Sequence, residues 1–481
     1  MAQKPLNLLF IMTDHQRYDS IGMTQSGVEV TPNLNRLAAE GVVFTRAYTT
    51  CPLCAPARTA LATGKYPTVN GLITNDWEGV TAGEHKPIHE FLAEAGYEIA
   101  HIGVHHVRVR PPLERRVKFA LWLTMKDHNR YLATLGVPGN ITEGHEAQED
   151  LSAFRRPLME NIDGRREQRM YSNTRTAVWP HAAEHFLDSW LCRQASEFLE
   201  TPRRRPFALF LCLWAPHPPL RVPQPYASMF DPKRLVLPAN TGITPKDEPP
   251  RRKDGVAAQM GRGLDAGIWP GVWAAHLGLV RLADDGIGRV LDALRASPAA
   301  GNTLTVFTVD HGDHLGQRGM YQKMELYEPA IRIPLIIRAP GAAARRVDTP
   351  VSHLDVAPTV LAGAGLPAPA DFDGESLLET VTEGKPAREK PVFSQYSGGE
   401  PVRGDTRRGI ITRRYKYVYD PDDAPELFDL QEDSLEMNNL AGAAPLAATQ
   451  AMLHRKLAEW AKKHKDLVRF EPSSKPRKAK R

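Results

Sequence analysis

Cys51-Pro-Leu-Cys-Ala-Pro-Ala-Arg-Thr-Ala-Leu-Ala-Thr-Gly64 gathers unusual chemistry onto one short helix. Pro56 is pre-set for a first helical turn, where its missing N–H would be unpaired anyway. Ala57 to Ala62 are mostly good helix formers, and Gly64 supplies a stop. Cys54 is therefore predicted just before a helix N-terminus, where free N–H groups and the helix dipole favour an anion. Arg58 follows four residues on and shares its face. Taken alone, the stretch also admits a Cys-x-x-Cys redox pair (Cys51, Cys54), or two small core hydrophobes.

The rest of the chain narrows the setting. It has 481 residues, 42 % hydrophobic and 24 % charged, enough for one large and one small domain. A net charge of +5 is too modest to imply nucleic acid, and suits a basic pocket for an anionic substrate. Part of that surplus sits in Ser473-Ser-Lys-Pro-Arg-Lys-Ala-Lys-Arg481, which reads as a solvated, disordered tail. Four cysteines (Cys51, Cys54, Cys192, Cys212) are not a disulfide scaffold. Leu8 to Met12 runs straight into Asp14 with no cleavage site, so it reads as a buried strand, not a signal peptide. No stretch approaches the length of a membrane span. The sequon Asn140-Ile-Thr142 is discounted without a secretion signal, and the expected compartment is the cytoplasm.

In chain order, the apolar run Leu8 to Met12 is predicted as a central parallel strand with Asp14 and His15 at its carboxyl end, where α/β sheets gather ligand sites. Thr31-Pro-Asn-Leu-Asn-Arg-Leu-Ala-Ala-Glu40 is predicted as a helix capped by Thr31 and stopped by Gly41. Val42 to Phe44 is a strand leading to Cys54, Ile88 to Ala95 a helix, and Tyr97 to Gly103 a strand with His105 and His106 just past it. Residues 107 to 180 show no motif and read as an irregular insertion with a basic loop, the place for substrate choice. Ala182 to Leu199 is helical. Phe207 to Trp214 is a strand that ends near His217. Trp273 to Leu294 is a long helix, and Asn302 to Val309 a buried strand ending at Asp310-His-Gly-Asp-His314. Ile333 to Ile337 is one more strand. Val356 to Ala362 is a helix with Asp355 as cap and Gly363 as stop. Beyond residue 372, Gly409 to Tyr419 reads as one strand with an aromatic face, Glu426 to Leu430 as another, and Ala448 to Lys463 as an amphipathic helix. Together these make a small α+β domain on the end of the main sheet.

Polar groups thus fall near strand ends at Asp14 and His15, at Cys54 with Arg58, at His217, and at Asp310 with His311, with Lys323 close behind. Carboxylates rigidly held after apolar strands are what a hard cation needs. Each residue alone has a dull explanation as a cap or a packed ring. Their joint occurrence, in this order, does not.

Cys-x-Pro-x-Arg followed by Leu-x-Thr-Gly resembles the signature of the type I sulfatases and the related phosphonate monoester hydrolases, within the alkaline phosphatase superfamily. Leu9-Phe-Ile-Met-Thr-Asp-His-Gln-Arg17, Ala283-Asp-Asp-Gly-Ile-Gly-Arg289, Thr308-Val-Asp-His-Gly-Asp-His-Leu-Gly316, Tyr327-Glu-Pro-Ala-Ile-Arg-Ile-Pro334, Ser352-His-Leu-Asp-Val-Ala-Pro-Thr359 and Glu426-Leu-Phe-Asp-Leu430 resemble that family's later blocks. The resemblance implies an alkaline-phosphatase-like α/β fold, a large mixed and mostly parallel sheet flanked by helices. A catalytic domain would span 1–371, with 107–180 as its specificity insertion. A C-terminal α+β domain would span 372–470, and a basic tail 471–481.

It also implies the chemistry. Cys54 would be oxidised to formylglycine by a formylglycine-generating enzyme during maturation. Asp14, Asp310, His311 and the modified Cys54 would bind one divalent cation, calcium first and manganese as the alternative. Arg58 would hold the formylglycine. His217 and Lys323 would bind the substrate's anionic oxygens, and His106 (or His105 in its stead) would lie near the nucleophile. The implied reaction is hydrolysis of a small anionic ester, a sulfate ester, through a covalent sulfo-enzyme intermediate, with no nucleic-acid or membrane partner and homo-oligomer formation left open. Two departures mark this chain. His15 stands where many sulfatases carry a second Asp, and Val104 where many relatives have Lys. They keep phosphonate monoester or phosphodiester hydrolysis as the enzyme alternative, beside a non-catalytic binding protein on the same scaffold.

Overall fold

Asn7–Thr13 (β1) is apolar or small and buried at every position, so it needs neighbours on both edges and both faces. The computed structural model, which describes residues 5–75, 79–138, 152–162, 165–398 and 405–470, gives it both. The tail 471–481 and the sequon at Asn140 lie outside the described residues. Eight further strands join β1 in one sheet: Val42–Tyr48 (β2), Glu98–Gly103 (β3), Phe119–Leu123 (β4), Phe207–Cys212 (β5), Thr303–Val309 (β6), Arg332–Arg338 (β7), Arg345–Val347 (β8) and Val351–Ser352 (β9). Their order is β8-β2-β7-β6-β1-β5-β3-β4, with β9 also on β2. β1 pairs in parallel with β5 and β6, and the parallel run continues through β3 to β4. Only β7 runs against its neighbours β6 and β2.

This topology delivers the polar residues to one edge. β1, β2, β3, β5 and β6 point the same way, so the segments after them, carrying Asp14, Cys54, His105 and His106, His217 and Asp310, all emerge at the same end. β7 is reversed, so its entry rather than its exit lies there, and that entry brings Lys323. The expected mixed, mostly parallel sheet is found. Its helical cover includes Pro32–Glu40 (α1), Cys54–Thr63 (α2), Ile88–Glu94 (α3), Leu187–Glu200 (α4), Trp269–Ala296 (α5) and Val356–Gly363 (α6). α5 packs on α4 and α1, and α6 packs on α2 and α3. Among the described residues no helix is long and apolar enough to cross a membrane.

Several local expectations need correction. Thr31 does not cap α1; its hydroxyl donates to Ser20 O at 2.9 Å. The free N–H groups of α1 go instead to Asp284 on α5, which accepts from Asn33 N at 2.9 Å and Leu34 N at 2.8 Å. Gly363 lies inside α6, and Asp355 accepts from Ser352 N and Glu375 N ahead of the helix. The insertion is not irregular. It contributes β4 to the main sheet, a helix Met125–Thr134 and an antiparallel hairpin, Arg155–Ile162 against Arg165–Ser172. The stretch 409–419 is two strands rather than one, because Arg413 and Arg414 interrupt the alternation and the chain reverses there.

Val392–Tyr396 (β10), Arg407–Ile411 (β11), Tyr415–Tyr419 (β12) and Glu426–Asp429 (β13) form the C-terminal antiparallel sheet, with Ala447–Lys463 (α7) packed on β11 and β12. A buried ion network welds it to the main body. Arg252 Nε lies 2.5 Å from Glu426 Oε2, and Arg407 Nη1 lies 3.2 Å from Glu325 Oε1. Arg318 pairs with Glu248 and donates to the backbone carbonyl of Glu436. Lys416 bridges Glu328 and Glu436. Charges this deep persist only when each finds its partner.

The core also holds neutral histidines. His89 on α3 packs 4.0 Å from the Phe210 ring and 6.3 Å from His101 on β3, and the ring nitrogens of both lack a hydrogen-bond partner among the described residues. Burial pushes His89 down to about 3 from the usual 6.5, with His105 adding to the shift. The unfolded chain therefore takes up this proton first, and the stability it withholds is intact above pH ~6.5 and drains away as the pH falls from there. Urea unfolding of His89→Phe should show a stability gap between pH 7.5 and pH 5 narrower by about 1–2 kcal/mol than the parent's. An unchanged gap contradicts the neutral-core account.

Candidate active site at the sheet edge

Cys54 is the first residue of α2, one step further into the helix than the sequence reading placed it. Its near-terminal position leaves Ala55 N to donate to Asn75 Oδ1 at 3.0 Å. At the other end Gly64 takes the left-handed backbone (φ 66) that closes the helix, and a Cβ there would come within 2.5 Å of Phe372.

One turn along α2, Arg58 is buried and forks between the two strand-end carboxylates. Its Nη2 lies 2.9 Å from Asp14 Oδ2 and its Nε 2.9 Å from Asp310 Oδ2, while Nη1 donates to Val104 O at 2.6 Å. All three side chains are essentially inaccessible to solvent. Burial and the neighbouring Asp310 push the Asp14 carboxyl well up. Burial opposes the charge on Asp310 as well, but His311, Arg58 and Lys323 outweigh it and hold that carboxyl low. Cys54 Sγ sits against this group, 3.3 Å from His311 Nε2 and 3.8 Å from Asp14 Oδ1. Burial, then the neighbouring Asp14 carboxyl, push its thiol above its ordinary range.

Lys323 Nζ reaches 2.7 Å from Cys54 Sγ and 2.9 Å from His15 Nε2. Burial works against its charge, but Cys54, Asp14 and Asp310 more than compensate and keep it cationic. His15 is oriented from behind: its Nδ1 lies 2.8 Å from Asp313 Oδ2, so the ring donates there and turns the Nε2 lone pair to Lys323. Asp313 Oδ1 accepts from Leu315 N and Gln322 N, which fixes the carboxylate in turn. The His217 and His311 rings stand edge-on to His15 at 4.4 and 4.6 Å, and His217 Nδ1 donates to Pro218 O. Of the paired histidines, His105 packs on the His101 and Trp122 rings, at 5.7 and 5.0 Å. His106, lowered chiefly by burial, also feels Arg58, Asp310 and His217.

The structure therefore brings Asp14, Cys54, Arg58, His217, Asp310, His311 and Lys323 together. Asp313 is the residue the sequence reading missed. It stood inside the Asp310-His-Gly-Asp-His314 motif, but its partner lies 298 positions away. Buried His353, noted only within a sequence block, also lies where it feels Asp310 and Arg58. His15, His106, Gln322 and Met324 all adopt left-handed backbone (φ 64, 47, 62 and 82), uncommon for non-glycine residues and concentrated where geometry is held for function.

Ligand atoms of Asp14, Cys54, Asp310 and His311 all lie within 4.8 Å of one another, as do those of Asp14, His15, Cys54 and His217. Two buried carboxylates and an imidazole in the first set fit a divalent cation. In the second set His15 is already committed on both nitrogens.

The family profile described as "Sulfatase" matches residues 6–366, and that of "N-sulphoglucosamine sulphohydrolase, C-terminal" matches 316–463. The chain is 28 % identical to the "Uncharacterized sulfatase YidJ" of Escherichia coli K12, over 96 % of this chain and 88 % of that one. It is 27 % identical to an arylsulfatase of Clostridium perfringens, over 90 % of each. The fold superposes on the phosphonate monoester hydrolase SpPMH from Silicibacter pomeroyi with a TM-score of 0.76 at 24 % identity, covering 98 % of this chain and 100 % of that one.

Removing the guanidinium from between two buried carboxylates leaves them facing each other unpaired. Arg58→Met should destabilise the purified protein by about 3–5 kcal/mol in chemical unfolding. A loss below ~1 kcal/mol would mean that the Arg58 fork is not what holds Asp14 and Asp310 together.

Proposed function

Because the chain belongs to the sulfatase family, we propose that it is a metal-dependent hydrolase that cleaves sulfate esters with a formylglycine made from Cys54. One observation carries the reading. The side chain at position 54, at the first turn of α2, lies within reach of Lys323, His311 and Asp14, so a cation and two metal-type ligands converge on that one atom. Converted to formylglycine by a modifying enzyme, residue 54 would offer two hydroxyl oxygens once hydrated, one to attack the ester and one to release the anion afterwards. The thiol has no such second oxygen.

Asp14, Asp310 and His311 would hold the divalent cation. We propose calcium, with manganese the alternative that the His311 imidazole favours. Bound there, it would supply a Lewis acid for the attacking oxygen and for the developing charge on the ester. The remaining work falls to the chain itself. Arg58 keeps the two carboxylates in register. The N-terminal end of α2 and the Lys323 ammonium present fixed positive charge around residue 54, the preorganised electrostatics that transfer of an anionic group needs. His15 and Asp313 aim that ammonium. His217 gives its Nδ1 proton to Pro218 O, so it must gain a proton before it can donate from Nε2. His217 would take that proton from solvent, favoured by the anionic ester, and pass it to the leaving oxygen; the Lys323 ammonium, which already carries a proton, is the alternative donor.

A phosphonate monoester or phosphodiester remains the second reading, because neutral His15 replaces a carboxylate and Val104 leaves out a cation. Relative rates on matched aryl sulfate, aryl phosphonate and phosphate diester substrates separate the two. We propose the cytoplasm as the compartment.

Protein produced with a formylglycine-generating enzyme should yield a Cys54 peptide carrying the mass of an aldehyde. Cys54→Ala should retain the fold by circular dichroism and lose aryl sulfate turnover by at least ~10³-fold. Undiminished turnover in that variant rejects the nucleophile, and a plain thiol in a fully active preparation rejects the modification. Chelation should lower both rate and melting temperature, with calcium or manganese restoring them.

A further inference from the structure

Two backbone N–H groups need a partner where β5 ends. Leu213 N still donates to Met12 O at 2.7 Å, but Trp214 and Ala215 have left the sheet and are buried. One oxygen from another element takes both donors. Asp188 Oδ1 accepts from Trp214 N at 2.7 Å and from Ala215 N at 3.0 Å. Successive N–H groups converging on one point make a cradle for an anionic oxygen. Asp188 lies in the first turn of α4 and is fully buried. Its second oxygen, Oδ2, has no hydrogen-bond partner among the described residues, so one oxygen does the holding. The helix that carries it is closely packed on α5, where a Cβ at Gly286 would come within 2.7 Å of Cys192 Sγ, one turn beyond Asp188.

This clamp stands directly behind His217. His217 N donates to Trp214 O at 2.9 Å, which closes a tight turn on the clamped residue. The Trp214 ring packs 4.0 Å from the His217 ring. His217 in turn stands edge-on to His15 at 4.4 Å, with a ring nitrogen within 4.8 Å of Cys54 Sγ. A chain of two hydrogen bonds and one ring contact thus runs from α4 to the catalytic edge.

We propose that Asp188 is a positioning residue, which holds the His217 ring in place at the site without touching the ester. The proposal rests on the ester-hydrolase reading, with His217 as the donor to the leaving oxygen.

The test compares phenyl sulfate with 4-nitrophenyl sulfate in the metal-loaded enzyme carrying formylglycine. Nitrophenolate leaves almost unaided, whereas phenolate needs its proton, so a displaced donor is felt first by the phenyl ester. His217→Ala should lose about a hundredfold in kcat/KM on the phenyl ester beyond its loss on the nitrophenyl ester. Asp188→Ala should show the same selectivity at about tenfold. Asp188→Asn keeps an oxygen for both N–H groups and should stay within about twofold of the parent on both esters. If Asp188→Ala does not fold, Asp188→Ser, whose shorter oxygen serves the two amides only loosely, is read in the same way. A purely structural defect would lower both esters alike. Equal losses in Asp188→Ala, or an Asn variant as selective as the Ala one, overturn the proposal while a selective His217→Ala leaves the donor standing. Equal losses in His217→Ala instead reject the histidine as donor, and the positioning is then judged by structure alone. Crystal structures of the same variants supply that judgement without turnover. The His217 ring should leave its edge contact with His15 in Asp188→Ala and keep it in Asp188→Asn. A ring that moves supports the positioning even if the parent cleaves neither ester, which would reject only the activity. A ring that stays overturns the proposal even if both esters are cleaved.

Discussion

Two carboxylates buried on adjacent parallel strands cannot both be charged without a cation between them, and Arg58 supplies it. That single fork explains much of the architecture. Asp14 and Asp310 end β1 and β6, neighbours in the sheet. A guanidinium can bridge them only if its helix starts at the same edge, so α2 must follow β2 with its N-terminus at the carboxylates. Cys54 and Arg58, one turn apart, then bring the reacting atom and the bridge to the same place. The third nitrogen of Arg58 is spent on Val104 O, which fixes the loop after β3 and with it the His105–His106 pair.

Much of this was legible in sequence because it is local. An uninterrupted apolar run such as Leu8–Met12 can only be a central strand, and the polar residues after such runs must lie at a sheet edge. Gly64 marked its helix end by the backbone it alone adopts cheaply. What escaped was long-range or charged. Asp284 caps α1 from another helix, a partnership no local pattern encodes, so Thr31 looked like the cap. The second strand of the hairpin over 155–172 is mostly exposed and rich in charge, without the alternation that betrays a half-buried sheet. Asp313 read as one more acid in a motif until His15 appeared beside it.

His15 shows how a departure from a family pattern can be absorbed. A second carboxylate at this position would add negative charge beside Asp14, whereas an imidazole contributes none and can still be oriented. Asp313 provides that orientation from the far side, so the position exchanges a charge for an aimed lone pair, and Lys323 is what the lone pair meets. The left-handed backbone at His15 and Gln322 is consistent with this, since Asp313 holds both residues.

The ion network under the C-terminal sheet has a consequence for how the chain may be divided. Residues 318–328, which carry Lys323, are gripped by that sheet: Arg318 donates to Glu436 O, Tyr327 Oη lies 2.7 Å from Glu426 Oε1, and Glu328 N donates to Glu436 Oε2 at 2.7 Å. The terminal quarter of the polypeptide is therefore no detachable appendage. A fragment ending before β10 would take Glu426 and Asp420 from Arg252 and the Glu436 carbonyl from Arg318, and would release the lysine loop, so recombining such units between homologues succeeds only when both halves of the electrostatic seam travel together.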